Sequence, residues 1–295
     1  MKRILFEGCG TAIITPFTKD GINFRVFKNL IEFQVQNGAD AIIVCGTTGE
    51  SATMSESERK AAIKFAVDIV NKRIPVIAGT GSNCTASAIE MSKYAQSVGA
   101  DGLLLVTPYY NKTTQQGLIE HYKLIANNVD LPIILYNVPS RTGLNIEPKT
   151  CLELSKINNI VAIKEASGNL SQIAKIANLC RDDLTIYSGN DDQILPILSL
   201  GGKGVISVLS NLIPKDVHNM VKLFNEGNIK DALKLQLDTL NLTNALFSEV
   251  NPIPIKAACN MMGFDVGTPR LPLIEMSEEG QKSLRKEMTG YGLIK

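Results

Sequence analysis

The 295-residue chain has no tryptophan and only two histidines, and no cysteine pair stands at metal-ligand spacing. Its cysteines occur singly, at positions 9, 45, 84, 151, 180 and 259, with none in a C-x-x-C pair or beside a histidine. Structural zinc sites usually draw on such pairs. We therefore expect no metal site and no cofactor. Unpaired cysteines also favour reduced thiols in a cytoplasmic protein.

An excess of charge of either sign is also absent. Lysine and arginine number 30 against 29 acidic residues, a net charge of +1, so we expect neither nucleic acid nor an acidic membrane as a partner. No run approaches the roughly 18 apolar residues of a membrane span. Glu7 and Gly8 interrupt the N-terminal apolar run, and we expect no signal peptide. His121 and His218 lie in helix-like sequence, which favours structural roles for both.

The chain is rich in short apolar runs that contain many β-branched residues. Continuous apolar strands of this kind are typical of parallel sheets buried on both faces. The runs recur at the spacing of a β-α unit, which predicts a (β/α)8 TIM barrel. A doubly wound open sheet is the alternative, but no G-x-G-x-x-G follows the first run. The eight runs begin at Thr11, Ala41, Ile74, Gly102, Pro132, Ile160, Leu184 and Gly204.

Helix signals separate the runs. Ser55 and Glu58 form a capping box, Gly99 ends the next helix, and Pro148 takes a first helical position. The G-G-K-G at Gly201 precedes the eighth run and predicts a tight turn rather than a phosphate cradle. A helix from Pro214 is predicted to close the barrel.

The last part of the chain follows the eighth β-α unit and contains no further strand-like run. It is predicted to be helical throughout, without a low-complexity linker before it. We therefore expect two domains: a catalytic barrel at 1–227 and an appended C-terminal helical domain at 228–295 that packs on the barrel.

Active sites in such barrels lie at the C-terminal ends of the strands, and one run ends in a lysine. In V-A-I-K-E-A-S-G, alternation places Lys164 on the same face as Ala162 and opposite Val161 and Ile163. If the small Ala162 faces the interior, Lys164 does too. Burial lowers the pKa of a lysine, and the free amine attacks a keto group to form a Schiff base. The alternative is a strand that ends here with its lysine in water.

Other residues at the strand ends suit amine chemistry on a small anion. Tyr136 and Thr48 are candidates for relaying protons. The loop G-T-T-G-E at 46–50 offers N–H groups and hydroxyls for a carboxylate, although a simple glycine-rich turn would look the same. Arg141 could bind a second carboxylate through its guanidinium fork, or lie in water.

Several motifs together resemble the dihydrodipicolinate synthase family, within the pyruvate-dependent Schiff-base aldolases. The resemblance covers essentially the whole chain. The motifs are G-T-T-G-E-S-A-T at 46–53, A-G-T-G-S-N at 78–83, P-Y-Y-N at 108–111, Y-N-V-P-S-R-T-G at 136–143, I-K-E-A-S-G at 163–168, S-G-N-D at 188–191, G-V-I-S-V at 204–208 and N-P-I-P-I-K at 251–256.

The resemblance implies a reaction and a catalytic set. Pyruvate would form a Schiff base on Lys164 and then condense with L-aspartate 4-semialdehyde, giving 4-hydroxy-tetrahydrodipicolinate on the route to diaminopimelate and lysine. Tyr136, Thr48 and Tyr110 would form a proton relay, with Tyr110 reaching into a neighbouring subunit. The resemblance thus implies a homo-oligomer, with a homotetramer built as a dimer of dimers expected and a dimer as the alternative.

The resemblance also implies a binding set. Thr47 and Thr48 would hold the pyruvate carboxylate, and Arg141 the carboxylate of the aldehyde. Gly189 and Ile206 would line the site through backbone carbonyls. Two alternatives stay open: a related aldolase such as N-acetylneuraminate lyase, and a non-catalytic keto-acid sensor, which no basic patch supports.

One group of positions departs from the family pattern. Lysine-inhibited members have an interface pocket with histidine and glutamate ligands. Here Glu56 and Arg59 stand in place of histidines and Ser87 in place of the glutamate, so we expect weak or absent lysine inhibition. The pocket positions that do fit are Ser51, Ala52, Asn83 and Tyr109.

Overall fold

A computed structural model describes residues 2–295. Eight parallel strands close into a barrel in the order β1-β10-β9-β8-β7-β6-β5-β4, while β2 and β3 form a separate antiparallel pair. The predicted TIM barrel is thus confirmed. The strands are β1 (Gly8–Ala12), β2 (Phe17–Thr18), β3 (Gly21–Ile22), β4 (Ala41–Val44), β5 (Val76–Gly79), β6 (Gly102–Val106), β7 (Ile133–Asn137), β8 (Ile160–Glu165), β9 (Thr185–Ser188) and β10 (Gly204–Ser207).

Helices follow the barrel strands and cover the outside of the barrel. Those of the barrel are α1 (Phe24–Gln36), α2 (Glu56–Val70), α3 (Thr85–Ser97), α4 (Gln115–Ala126), α5 (Pro139–Thr142), α6 (Pro148–Leu154), α7 (Leu170–Cys180), α8 (Ile194–Ser199) and α9 (Pro214–Asn225). Those beyond it are α10 (Ile229–Asp238), α11 (Leu240–Leu246), α12 (Ile253–Met261) and α13 (Glu278–Tyr291).

The predicted helix signals are confirmed. The Ser55 side chain accepts from the Glu58 N–H and the Glu58 side chain accepts from the Ser55 N–H, so both halves of the capping box are made. Pro148 is the first residue of α6. Gly99 has a φ of +89° just past the end of α3, and Gly201 has a φ of +91° in the turn before β10.

The barrel encloses an apolar cluster distinct from the layer between sheet and helices. Inside it, Phe6 and Tyr187 stack with ring centroids 4.4 Å apart. The Tyr187 hydroxyl donates to the Phe6 carbonyl at 2.7 Å. Because Phe6 precedes β1, this stack fills the N-terminal end of the barrel. Polar side chains are then left for the opposite end.

The first strand lies earlier than predicted. The sequence placed it from Thr11, but it runs from Gly8 to Ala12. Its glycines carry no apolar signal, yet the barrel requires them: a Cβ on Gly10 would lie 2.7 Å from both Phe6 and Ile43. Close packing inside the barrel, rather than hydrophobicity, selects this segment.

The C-terminal region is helical only in part, so the prediction of a helix throughout was wrong. Helix α13 packs on α11 and α12, as expected for a helical appendage. Residues 262–277 between α12 and α13 form neither helix nor strand. Two prolines, Pro269 and Pro272, remove N–H donors there. The backbone N–H of Arg270 instead donates to the Glu50 carboxylate of the barrel at 3.0 Å. The boundary at 227/228 stays a prediction.

Candidate active site

Lys164 lies inside the barrel, at the end of β8. It pairs in register with Tyr136 of β7 and with Tyr187 of β9. Only 6% of Lys164 is exposed. Its Nζ lies 4.2 Å from the centroid of the Tyr136 ring, within the range of a cation–π contact. The predicted interior position is therefore confirmed, and the alternative of a lysine in water is wrong.

The alternation that predicted this position holds only in the C-terminal half of β8. Ala162 lies in the interior cluster and Ile163 in the outer layer, as predicted. Val161, expected outside, belongs to the interior cluster instead. The β7–β8 register shifts here: Ile133 pairs with Ile160 and Ile134 with Ala162, which leaves Val161 as a bulge. Alternation resumes after the bulge, so Lys164 still points inward.

The strands beside Lys164 leave room for its side chain. A Cβ on Gly189, which follows β9, would lie 3.1 Å from the Cε of Lys164 and 2.7 Å from the Cβ of Ala166. The Gly189 N–H donates to the Glu165 carbonyl at 2.8 Å, which fixes the glycine against the lysine. Ile206 of β10 is fully buried in the interior cluster with Tyr136. Gly189 therefore lies against the Lys164 side chain, and Ile206 lies in the interior cluster.

The loop at 46–50 is held in an unusual conformation between β4 and α2. Cys45 and Glu50, at its two ends, have φ values of 56° and 55°. Non-glycine residues in this region cost of order 1–3 kcal/mol each and tend to occur at functional sites. Thr48 is 3% exposed. The buried Lys256 donates to Glu50 at 2.7 Å, which compensates for the strain and fixes the loop.

Two cavities meet at Thr47. One of about 40 Å³ is also lined by Tyr136, and one of about 250 Å³ by Arg141. Thr47 thus connects the barrel interior with a wider mouth. Cavity size alone does not identify this site, because a cavity of about 340 Å³ lies elsewhere, against α12 and α13.

Asn251, just before α12, joins two predicted site residues. Its Nδ2 donates to the Thr48 hydroxyl at 3.0 Å, and its backbone carbonyl accepts from Nη2 of Arg141 at 3.2 Å. Asn251 opens the N-P-I-P-I-K motif at 251–256, but no role was predicted for it from the sequence. No local pattern could have predicted one, since 203 residues separate Asn251 from Thr48.

Tyr110 is the one predicted catalytic residue that lies apart. The residue is 92% exposed, and its φ is +68°. Neighbouring Tyr109 is 39% exposed. The chain alone therefore brings Tyr136 close to Lys164 but not Tyr110.

Two buried carboxylates flank the β8 and β9 ends. Asp191 accepts hydrogen bonds from the N–H groups of Val208 and Leu209, each at 3.0 Å. Burial raises the pKa of Asp191, while the charge of Lys164 acts in the opposite direction. Sequence reasoning assigned Asp191 no role.

Glu165, the residue after Lys164 on β8, faces away from it, as alternation along a strand requires. It accepts from Nδ2 of Asn137 at 3.1 Å and from the N–H of Ser167 at 2.8 Å. Burial raises the pKa of this carboxyl. These bonds join the ends of β7 and β8, the strands that carry Tyr136 and Lys164. Its contacts were beyond what the sequence could supply.

Both histidines pair with side chains away from the site, whereas Cys45 lines its smaller cavity. Nδ1 of His121 pairs with the Thr85 hydroxyl at 2.9 Å, and Nδ1 of His218 lies 2.8 Å from the Asp40 carboxylate. Cys45 is buried, which raises the pKa of its thiol to about 12. Within residues 2–295 no group of three or more metal-ligating side chains occurs, and no helix is long and apolar enough to cross a membrane.

An interior lysine at the C-terminal end of a barrel strand, beside a tyrosine and a hydroxyl-rich loop, defines a Schiff-base (class I) aldolase of the (β/α)8 type. Within that class the chain belongs to the dihydrodipicolinate synthetase family, whose model matches residues 5–290.

Individual relatives agree with the family assignment. The chain is 61% identical to 4-hydroxy-tetrahydrodipicolinate synthase 1 of Clostridium acetobutylicum, with 99% of each chain covered. It is 58% identical to 4-hydroxy-tetrahydrodipicolinate synthase of Acetivibrio thermocellus, with 100% of each covered. The crystal structure of dihydrodipicolinate synthase from Thermotoga maritima superposes with a TM-score of 0.97 at 43% identity and covers 99% of this chain and 100% of its own.

Proposed function

We propose that this chain condenses pyruvate with L-aspartate 4-semialdehyde through a Schiff base on Lys164, giving 4-hydroxy-tetrahydrodipicolinate for diaminopimelate and lysine biosynthesis. The observation that carries the proposal is the buried Lys164 beside Tyr136, with Nζ 4.2 Å from the ring centroid. The full-length relatives named 4-hydroxy-tetrahydrodipicolinate synthase support the same reaction.

The chemistry needs no group beyond the amine and proton carriers. The neutral amine of Lys164 adds to the keto carbon of pyruvate, and the carbinolamine loses water to give an iminium. The iminium withdraws electrons, so the methyl group loses a proton and forms an enamine. The enamine carbon attacks the aldehyde carbon. The amino group of the second substrate then displaces Lys164 from the former keto carbon, which closes the ring and frees the enzyme.

Each step moves a proton on or off oxygen, nitrogen or carbon. Tyr136 lies against Lys164, and Thr48 follows Thr47, which lines the same small cavity as Tyr136. We assign Tyr136 and Thr48 to the relay and Thr47 with Thr48 to the pyruvate carboxylate. Buried hydroxyls hold one orientation better than solvated ones, which suits both tasks. Gly189 and Ile206 complete the wall of the pyruvate site.

Arg141 is assigned to the carboxylate of the aldehyde. It lines the mouth cavity of about 250 Å³. Its contact with Asn251 uses Nη2 alone, so other N–H groups of the guanidinium can form a charge-assisted pair with a carboxylate. Replacement of Arg141 by alanine should raise KM for the aldehyde much more than KM for pyruvate.

Tyr110 is assigned to the relay of a neighbouring subunit. Its positive φ costs roughly 1–2 kcal/mol for a non-glycine residue, yet its ring contacts little in one chain. A partner surface would account for both features. We propose a homotetramer assembled as a dimer of dimers. A monomer with full activity on a sizing column would contradict the assignment of Tyr110.

The domain organisation and the cellular compartment belong to the same proposal. We propose that residues 228–295 form a domain packed on the 1–227 barrel, and that the enzyme works in the cytoplasm. Limited proteolysis that cuts at the loop around Gly227 and leaves both fragments associated would support the boundary.

The direct test of the reaction is a choice of substrates. Purified protein is assayed for condensation of pyruvate with L-aspartate 4-semialdehyde and, in parallel, for cleavage of N-acetylneuraminate. We expect condensation only. Cleavage without condensation would identify a neuraminate-lyase-type aldolase, and pyruvate binding without either reaction would identify a sensor.

A further inference from the structure

Arg59, near the start of α2, has no part in the reaction proposed above, yet it lines the mouth cavity of about 250 Å³ together with Arg141. The aldehyde brings one carboxylate to this end of the barrel, and Arg141 is assigned to it. The second guanidinium is left without a ligand. We propose that the mouth cavity is a binding site for a short dicarboxylate, with one acid group on Arg141 and the other on Arg59. For the role of Arg141 the inference rests on the proposed function.

The wall of the mouth cavity carries positive charge with no acidic residue to balance it. Its other lining residues are Thr47, Ser51, Ala52, Gly81, Val106, Tyr109, Val138 and Thr142. By contrast, the cavity of about 340 Å³ against α12 and α13 has Glu275 in its wall as well as Arg285. A concave site lined by charge of one sign concentrates ions of the opposite sign. The mouth cavity is therefore suited to an anion.

The guanidinium of Arg59 is fixed but not neutralised. Its Nη2 donates to the Gly79 carbonyl at the end of β5, at 3.3 Å. The two acids on the same turn of α2, Glu56 and Glu58, form their ion pairs with other cations. An arginine has five N–H donors, and within residues 2–295 the Arg59 side chain uses one of them. The charge and the remaining donors are thus available to a carboxylate.

Arg59 lies next to the inner end of the site rather than on the outer face of α2. Sγ of Cys45 is 3.8 Å from the Arg59 carbonyl, and Cys45 lines the small cavity with Tyr136. Burial raises the pKa of Cys45 to about 12, while the charge of Arg59 acts in the opposite direction. The positive charge of Arg59 therefore extends to the cavity beside Lys164.

The two guanidiniums are held on different sides of the mouth. Arg59 is bound to Gly79 of β5, and Arg141, which follows β7, is bound to the Asn251 carbonyl. β6 lies between β5 and β7, and its last residue, Val106, lines the cavity. Two strand spacings amount to about 9–10 Å. One carboxylate is too small to bridge such a gap, whereas a linear acid with a carboxylate at each end has one for each arginine.

The volume of the cavity limits the length of the ligand. About 250 Å³ is the volume of roughly eight water molecules at ~30 Å³ each. Pockets for drug-sized ligands are larger, roughly 300–1,000 Å³. A short linear acid fits this space. Because it uses Arg141, it should compete with the aldehyde for the mouth of the site.

The test measures binding of glutarate to the full-length assembled enzyme by calorimetry. Valerate is the matched probe, because it has the same chain length and a single carboxylate. We expect glutarate to bind wild type roughly 10- to 100-fold more tightly than valerate, the range for one charge-assisted hydrogen bond. Arg59→Gln should abolish this preference. Arg59→Lys, which keeps the charge but loses the fork, should retain part of it. In initial-rate kinetics, glutarate should be competitive with the aldehyde.

Lys64→Gln is the matched control variant. It removes the same charge from the same helix, at an exposed position where Lys64 is paired with Asp68. Salt screens exposed charges beyond roughly 8 Å, so the preference for glutarate should stay at the wild-type value. The melting temperature of every variant is measured. If Arg59→Gln does not fold, Arg59→Lys and the competition pattern of wild type decide.

Four results would overturn the inference: equal affinity of wild type for glutarate and valerate, a full preference for glutarate in Arg59→Gln, an equal loss of preference in Lys64→Gln, or inhibition by glutarate that is not competitive with the aldehyde. Borohydride trapping with pyruvate on the same samples separates these failures from a failure of the proposed function. If wild type gives no adduct at Lys164, the proposed function is wrong, and calorimetry still decides on the anion site. If the adduct forms but glutarate is not preferred, only the dicarboxylate site is wrong.

Discussion

Lys164 and Tyr136 lie side by side on β8 and β7, paired in register, with the lysine Nζ 4.2 Å from the centre of the tyrosine ring. Since both belong to the same layer of the barrel, the amine and the phenol face the same small volume. The other strand partner of Lys164 is also a tyrosine, Tyr187, but the hydroxyl of Tyr187 is bonded to the Phe6 carbonyl at the opposite end of the interior. The two tyrosines therefore have different roles.

This difference can be tested with matched substitutions. Tyr136→Phe removes a hydroxyl from the relay and should lower kcat by about 10²–10⁴, the usual contribution of a positioned acid or base. Tyr187→Phe removes two buried hydrogen bonds to the Phe6 backbone and should cost about 1–3 kcal/mol of stability with kcat retained. Steady-state kinetics and denaturant unfolding of both variants check this. Equal loss of kcat in the two would contradict the assignment of Tyr136.

The ion pair between Lys256 and Glu50 should be the most sensitive of the charged contacts. Both side chains are essentially inaccessible, at 1% and 0% exposure. Lys256→Met leaves Glu50 as an unpaired buried charge and should cost about 3–5 kcal/mol of unfolding free energy. It should also lower activity, because Glu50 anchors the loop of Thr48.

The exposed pair of Lys64 and Asp68 on α2 provides the control for that substitution. Lys64→Met should change stability by no more than about 0.5 kcal/mol, the value of a surface pair four residues apart on a helix. Urea unfolding of the two variants measures both effects. Comparable small losses would mean that the buried pair contributes no more than a surface one.

The two histidines should shape stability in separate pH ranges. Burial lowers the pKa of His121 from 6.5 to about 4, so the unfolded chain binds a proton that the folded chain does not. Stability should therefore fall as the pH drops from about 6.5 towards 4. His121→Gln should reduce this slope in unfolding free energy measured against pH.

The pKa of His218 is shifted in the opposite direction to that of His121. The Asp40 carboxylate raises the pKa of His218 above 6.5. Its contribution is complete below the unfolded pKa and is lost as the pH rises through the folded pKa. His218→Gln should therefore weaken the protein below pH 6.5 and matter less above that range. Unchanged profiles in both variants would rule out this description.

Lysine should be a weak inhibitor. Glu56 is exposed and already paired with Lys60 at 2.5 Å, and Ser87 offers no anion for the ammonium of an inhibitor. We expect initial rates to stay close to their uninhibited value with millimolar lysine present. Ser87→Glu, which supplies a carboxylate, should increase the sensitivity. Strong inhibition of the unmodified protein would contradict the prediction.

The sequence predicted what depends on local pattern, and missed what depends on pairing. The apolar runs gave the eight strands, and the end of one run gave Lys164. Val161 was placed on the wrong face because a bulge is set by the neighbouring strand. β1 was displaced because Gly8 and Gly10 are selected by close packing, which leaves no apolar signal.

In the site, too, residues set by local pattern were predicted and residues set by distant contacts were missed. Lys164, Tyr136, Gly189 and Ile206 lie in or beside the barrel interior as expected, because strand ends converge by geometry. Asn251 could not be assigned a role, since its contact with Thr48 joins two distant parts of the chain. If the partner of Tyr110 belongs to another subunit, the structure of one chain does not show the contacts of this residue.

The most direct test of the central claim is borohydride reduction with pyruvate, followed by peptide mass mapping. Reduction fixes the iminium as a secondary amine and adds the mass of the reduced pyruvyl group to the modified lysine. We predict one adduct per chain on Lys164, lost in Lys164→Ala, with none on Lys256, the other buried lysine. No adduct, or an adduct on any residue other than Lys164, would contradict the account.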